Sequence, residues 1–276
     1  MIHSERQAAL EAIAGEVAAC TRCGLHAGRT WAVPGEGSPA TEVVFVGEGP
    51  GEQEDRHGRP FVGASGHLLT ELIQSVGWQR PDVFITNVVK CRPPGNRDPQ
   101  PDEIAACSPF LRRQLEVLDP SVVVTVGKHS LNTFRPGERI GRVHGTSTPA
   151  NPASGAGSAL VFSMYHPAFA LYQGSNRRTL FDDIAGLPAT LLAARSRRER
   201  SAPPPGGPVA GITNQQAAGG GTDLPERAPG GAALEPSDAG SPGGSAPVRP
   251  AGRVASPSPP AAPHDGEPAG RQLTLF

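Results

Sequence analysis

Apolar positions recur in two rhythms along the 276-residue chain. Four short runs are nearly continuous: VVFVGE at 43–48, VFITNVVKC at 83–91, VVVTVG at 122–127 and ALVFSMYH at 159–166. Runs of this length without polar alternation predict strands buried on both faces. Between them the spacing becomes helical. After Ser4, Leu10, Ile13 and Val17 fall on one face of a helix ending at Cys20. GHLLTELIQSVG (66–77) is amphipathic and stops on a glycine, and DEIAACSPFLRRQLEVL (102–118) predicts a helix capped by Asp102. A short helix reaches Phe134, RRTLFDDI opens a last one, and residues 24–40 and RPPGNRDPQP read as loops. Strands alternating with helices predict an α/β fold with a parallel sheet covered on both faces. Ligands of such sheets bind beyond the carboxyl ends of the strands. The residues at those ends are Glu48 and Gly49, Asn87 to Cys91, Gly127, and His166 with Pro167.

Composition divides the chain. From Ser201 onward the sequence is PPPGGP, AAGGG, SPGGSAP and SPSPPAAP, too poor in apolar residues to offset the entropy of ordering. The expected organisation is a globular domain over 1–198, a disordered linker over 199–270 and a short terminal peptide over 271–276. Net charge is −1, and the tail's six acids against four basic residues leave the rest near +1, so bulk charge lends no support to nucleic-acid binding. Nearly all basic residues are arginine, with Lys90 and Lys128 the two lysines. There is no run of about 18 apolar residues and no apolar stretch after Glu5 and Arg6, so neither a membrane span nor a signal peptide is expected, and the cytoplasm is the expected location.

The loop GEGPGEQEDRHGRPFVG (47–63) follows the first strand. It lacks the GxxxxGK[ST] of a phosphate loop, Pro60 and Phe61 separate its glycines from the next helix, and its carboxylates would repel a pyrophosphate. A planar neutral ligand suits it better. Phe61 can stack on such a ring, Asn87 can pair with its edge, His166 can meet a carbonyl oxygen, and glycine lets the backbone approach. A nucleobase flipped out of its helix has that description. Each residue also has an ordinary reading: Asn87 satisfying a turn, Phe61 in the core, His166 in a surface loop, Glu54 and Asp55 as solvated charge. Convergence on one rim is what raises the functional reading.

The cysteines are Cys20, Cys23, Cys91 and Cys107. Four thiols in a chain expected to be intracellular point to a metal or redox site. One CxxC knuckle with two distant partners leaves zinc and an iron–sulfur cluster both open, with the spacing leaning toward the cluster. CTRC at a helix end rather than after a strand disfavours thioredoxin-type chemistry.

GEGPGEQEDRHGRPFVGASGHLL, TNVVKCRPPGNRDPQPDE and MYHPAFAL closely resemble the type-4 uracil-DNA glycosylases, from about Cys20 to the helix near Leu192. The resemblance implies a three-layer α/β/α fold with a four-stranded parallel sheet, a [4Fe–4S] cluster on Cys20, Cys23, Cys91 and Cys107, and hydrolysis of the bond between uracil and deoxyribose in DNA. It implies a uracil pocket formed by Glu48, Gly49, Glu54, Phe61, Asn87 and His166. Asn96 matches a further active-site position. Glu48, Glu54, Asn96 and His166 are the expected catalytic residues, with the choice between the two carboxylates open. Arg56, Arg59, Arg92, Arg97, Arg177 and Arg178 are candidate phosphate contacts. A related group that traps uracil-DNA covalently carries a basic histidine-containing insertion after the second strand; this chain lacks it, so turnover is expected. The rival from another class is a non-enzymatic iron–sulfur module that binds nucleic acid or carries electrons. QLTLF, with Gln272, Leu273, Leu275 and Phe276, resembles the peptide by which bacterial repair and replication proteins bind the sliding clamp. The protein is expected to act as a monomer.

Overall fold

The computed structural model describes residues 1–171 and 174–201; the predicted linker beyond Ser201 and the clamp-type peptide at 271–276 lie outside the described residues. The four apolar runs form the centre of one sheet: β2 (Val43–Gly47), β3 (Phe84–Asn87), β4 (Val122–Val126) and β6 (Leu160–Met164), all mutually parallel where they pair. Two short strands extend it beyond the expected four. β1 (Glu36–Gly37), inside a segment read as loop, pairs antiparallel with β3, and β5 (Thr146–Pro149) pairs antiparallel with β6, giving the order β1-β3-β2-β4-β6-β5. Both additions are polar edge strands, which carry no apolar pattern to announce them.

Alternate side chains along β2 divide between two cores. Val44 and Val46 pack with α1 (His3–Ala18) and α4 (Pro101–Leu118), while Val43 and Phe45 pack with α3 (Ala64–Ser75), α8 (Gly174–Ala185) and α9 (Leu187–Ser201). That division makes the three layers. Phe45, Leu69, Leu72, Ile85 and Phe162 are among the fully enclosed side chains. Each such residue contributes about 1.5–3 kcal/mol by leaving water.

Several boundaries differ from expectation. α1 begins at His3, before Ser4, and the Glu5 carboxylate accepts from the Ile2 amide. Asp102 is inside α4 and is not its cap; Glu103 instead accepts from the Gln100 amide, 2.7 Å away, and the helix opens on Pro101. Pro109 interrupts α4 without ending it, and the Ser108 hydroxyl donates to the Ala105 carbonyl that the proline leaves unpaired. Part of the glycine-rich loop is helical, as α2 (Glu52–His57). The second strand stops at Asn87, although the Val88 and Val89 amides still donate to the Gly47 and Glu48 carbonyls. Short helices α5 (Lys128–Phe134), α6 (Ile140–Val143) and α7 (Ala168–Leu171) complete the described part, and α9 continues through Ser201.

Candidate active site and cysteine cage

A cavity of about 490 Å³ opens at the carboxyl rim of the sheet, and Glu48, Gly49, Glu54, Phe61, Asn87, Asn96 and His166 all line it. The paired ends of β2 and β3 contribute to its wall. Gly47 pairs with Asn87 in parallel register. A Cβ on Gly47 would lie 2.4 Å from Asn87 Oδ1 and 2.6 Å from Phe61 Cζ, so only glycine lets both side chains reach the rim.

Phe61 has a φ of +50°, an uncommon conformation for an aromatic residue. Glu54 over-determines it. Its Oε1 accepts from the Val62 and Gly63 amides, each at 2.9 Å, and its Oε2 accepts from Gly51 at 3.1 Å. Gly66 allows the Phe61 carbonyl to press against α3, since a Cβ there would sit 1.9 Å from that oxygen. The Phe61 ring faces the His166 ring at 5.7 Å between centroids.

Asn87 is 1% exposed, and its Oδ1 has no hydrogen-bond partner among the described residues. A buried orphan acceptor at a cavity wall is costly unless a ligand supplies a donor. His166 accepts at Nδ1 from the Ala168 amide, 3.2 Å away, which assigns its proton to Nε2. Burial pushes its pKa down to about 4, against a smaller opposing pull from Glu54, so the ring is a neutral donor near neutral pH.

Across the cavity stands a charged group. Burial raises the Glu48 pKa; His129 opposes the rise, Asp98 adds to it and Lys128 opposes it. His129 Nε2 lies 3.7 Å from Glu48 and 3.0 Å from Asp98, the latter within ion-pair range but out of line for a hydrogen bond. Lys128 pairs with Asp98 at 2.8 Å. Asn96, at φ +56°, accepts from Arg92 Nε at 2.7 Å. Of the candidate phosphate-binding arginines, Arg56 pairs with Glu52, Arg59 with Glu36, Arg97 with Glu103 and Arg177 with Glu71. Asp55 is not solvated loop charge: it is buried and accepts from the Thr30 amide.

Sequence reasoning missed His129, Asp98 and the role of Gly47. His129 is the second residue of the helix capped by Gly127, itself a strand-end residue, so extending the rim rule by two positions would have found it.

The four cysteines are free thiols and gather on a second, smaller cavity with Val17, Arg22, Lys90 and Phe110. Cys20 and Cys23 come from the end of α1, Cys91 from the chain leaving β3, and Cys107 from α4. Arg29 Nη1 donates to Cys91 Sγ at 3.1 Å, and the Lys90 amide donates to Cys107 Sγ at 3.3 Å. Burial raises both thiols, so without metal they stay protonated. Lys90 is itself enclosed, and burial lowers its pKa to about 8.

The family model of the uracil DNA glycosylase superfamily matches residues 34–185. Curated relatives include a type-4 uracil-DNA glycosylase of Sulfurisphaera tokodaii, 51% identical over 180 residues, covering 63% of this chain and 81% of that one. The corresponding enzyme of Thermotoga maritima is 46% identical over 181 residues, covering 65% of this chain and 93% of that one. That of Saccharolobus solfataricus is 49% identical over 180 residues, covering 63% and 82%.

Proposed function

The chain belongs to the uracil DNA glycosylase superfamily, and from that premise we propose that it flips uracil out of DNA and hydrolyses the N-glycosidic bond, leaving an abasic site. The observation that carries the mechanism is Asn87, which lines the same cavity as a neutral His166 and the Phe61 ring and whose Oδ1 has no partner among the described residues. Asn87 accepts from uracil N3–H and donates from Nδ2 to O4. Cytosine presents the reverse pattern there and would leave both amide atoms opposed, a strong basis for rejection. Phe61 stacks on the ring.

Bond cleavage leaves negative charge on uracil and positive charge on the sugar. His166 Nε2–H donates to O2, where the negative charge collects, and the bond strengthens as the reaction proceeds. A neutral ring suits this role because the Ala168 amide keeps Nδ1 an acceptor and leaves the proton on Nε2. The sugar cation needs an anion, and Glu48 fills that role. Glu54 has committed its carboxylate to three backbone amides, so it holds the Phe61 loop and acts through it. Asn96 lines the opening and is held there by Arg92, where a phosphate on the flipped strand would pass.

The cysteine cage fits a [4Fe–4S] cluster. Four thiols converge with amide and guanidinium donors already aimed at two sulfurs, the outer hydrogen bonding that such clusters use. Cys20 and Cys23 after α1, Cys91 at the exit of β3 and Cys107 on α4 would hold such a cluster, which would supply a structural cross-link between these segments.

Incubation with a uracil-containing oligonucleotide followed by alkali tests the activity. Strand scission at uracil is expected; scission no greater than in buffer would leave a non-enzymatic iron–sulfur module as the account. No described helix is long and apolar enough to cross a membrane. The terminal QLTLF would tether the enzyme to a sliding clamp, raising its effective concentration on nearby DNA. Replacing Leu275 and Phe276 with alanine should abolish clamp binding and spare activity on short oligonucleotides; equal clamp affinity would discard the tether.

A further inference from the structure

Lys90 lines the cysteine cavity and also bonds the Asn87 carbonyl, and it touches neither the base nor the metal as a ligand. It is 1% exposed. Its Nζ donates to Thr86 Oγ1 at 2.5 Å, the Asn87 carbonyl at 2.8 Å and Gln114 Oε1 at 2.8 Å. All three acceptors are neutral, and no carboxylate pairs with Lys90 among the described residues. A buried ammonium normally requires an opposite charge, because neutral oxygens replace its hydration only in part.

The missing charge is next door. Lys90 lines the cysteine cavity, its own amide donates to Cys107 Sγ, and Cys91 follows it in the chain. Four thiolates around an iron–sulfur core leave the cage negative. The choice of lysine fits too. In a chain whose basic residues are otherwise arginine apart from Lys128, this enclosed three-oxygen cradle takes a compact point charge and has no room for a planar five-donor fork.

Resting on the proposed cluster and on the proposed pairing of Asn87 with uracil, we propose that Lys90 is a positioning residue that couples the two: its ammonium is the internal countercharge of the cage and holds the main chain of Asn87, while the Asn87 amide stays free to read the base. Lys90 fixes the Asn87 carbonyl, while Asn87 Oδ1 has no partner among the described residues and the residue lines the rim cavity. Gln114 and Thr86 complete the cradle, and Gln114 Nε2 anchors it to the Pro34 carbonyl at 2.7 Å.

The test uses the full chain purified without air, as wild type, Lys90→Met and Gln114→Glu. The first variant keeps length and removes the charge. The second keeps volume, gives the ammonium a carboxylate of its own and guards against a Lys90→Met protein that does not fold. Iron content, loss of iron to a chelator, cluster reduction potential by electron paramagnetic resonance, and kcat and KM on a uracil oligonucleotide are read on each. Removing a nearby positive charge, or adding a negative one, disfavours the more negative reduced cluster. Both variants should therefore show a more negative potential and iron loss faster by about threefold or more. Lys90→Met should also lower kcat by about tenfold with KM changed less than threefold, the pattern of a misplaced transition-state contact. Wild-type potential and chelator resistance in the variants would overturn the countercharge, and a shifted potential with wild-type kcat in Lys90→Met would overturn the coupling. A wild type without iron or without uracil release would overturn the cluster or glycosylase reading itself, and this proposal with it.

Discussion

At one end of the rim cavity buried Phe61 and Asn87 stand with half-buried His166, all uncharged; at the other Glu48 and Asp98 line the opening, and His129 and Lys128 stand beside them within ion-pair distance of Asp98. The first end is held by backbone: the Glu54 clamp on the Phe61 loop, the Ala168 amide on His166, the close approach over Gly47. The second is held by ion pairs between long side chains, with Asp98 58% exposed and Lys128 66%. The contrast matches the two charges that glycosidic cleavage creates. Recognition of a neutral base needs fixed donors and acceptors in a dry setting, where unmatched polar atoms are expensive. Stabilising a cation needs a carboxylate that stays ionised, and the neighbouring His129 and Lys128 work against the protonation that burial favours.

Breaking the neutral end should have the largest effect. His166→Ala should lower kcat by about 10²–10³-fold, the usual cost of a transition-state donor, with a smaller change in KM; an unchanged kcat removes His166 from the mechanism. Glu48→Gln should cost less, about 10–10²-fold in single-turnover excision, because water reaches that end and can share the charge. If Glu54→Gln proves the more damaging change to kcat at matched stability, the two carboxylates have been assigned the wrong way round. Asn87→Asp should lose uracil activity and relax the rejection of cytosine, since a carboxylate cannot donate to O4; full uracil activity with full rejection would end the pairing scheme.

The smaller effects concern pH. Glu48 acts as an anion and its pKa is raised, chiefly by burial, so activity should fall with falling pH earlier than an ordinary carboxylate would dictate. His166 adds no limb near 6.5 because it is already neutral above about 4. His129→Gln removes an influence that lowers the Glu48 pKa, so the acid limb should move to higher pH while the rate on the plateau changes by less than about threefold. A limb that stays in place would separate His129 from Glu48.

The same contrast explains what could be read from residue order. The central strands were legible because Val43–Val46 and Val122–Val126 are apolar on both faces, and the rim rule then found Glu48, Asn87 and His166. α2 was not legible: EQEDRH buries only Asp55, and the helix is fixed by Glu54 reaching back to the Gly51 amide. Residues of the neutral end sit on strands or in long specific motifs. Asp98, Lys128 and His129 become neighbours only when the loop after β3 folds against the start of α5, and charges at such places look like ordinary surface until they meet. Lys90 was visible as a rare lysine, but its enclosure depends on Gln114 arriving from α4.

Nuclear magnetic resonance titration of the His166 ring nitrogens tests most directly whether the base end is neutral. The structure predicts a proton on Nε2, none on Nδ1 and a midpoint of about 4. A midpoint near 6.5, or a proton on Nδ1 at neutral pH, would contradict it.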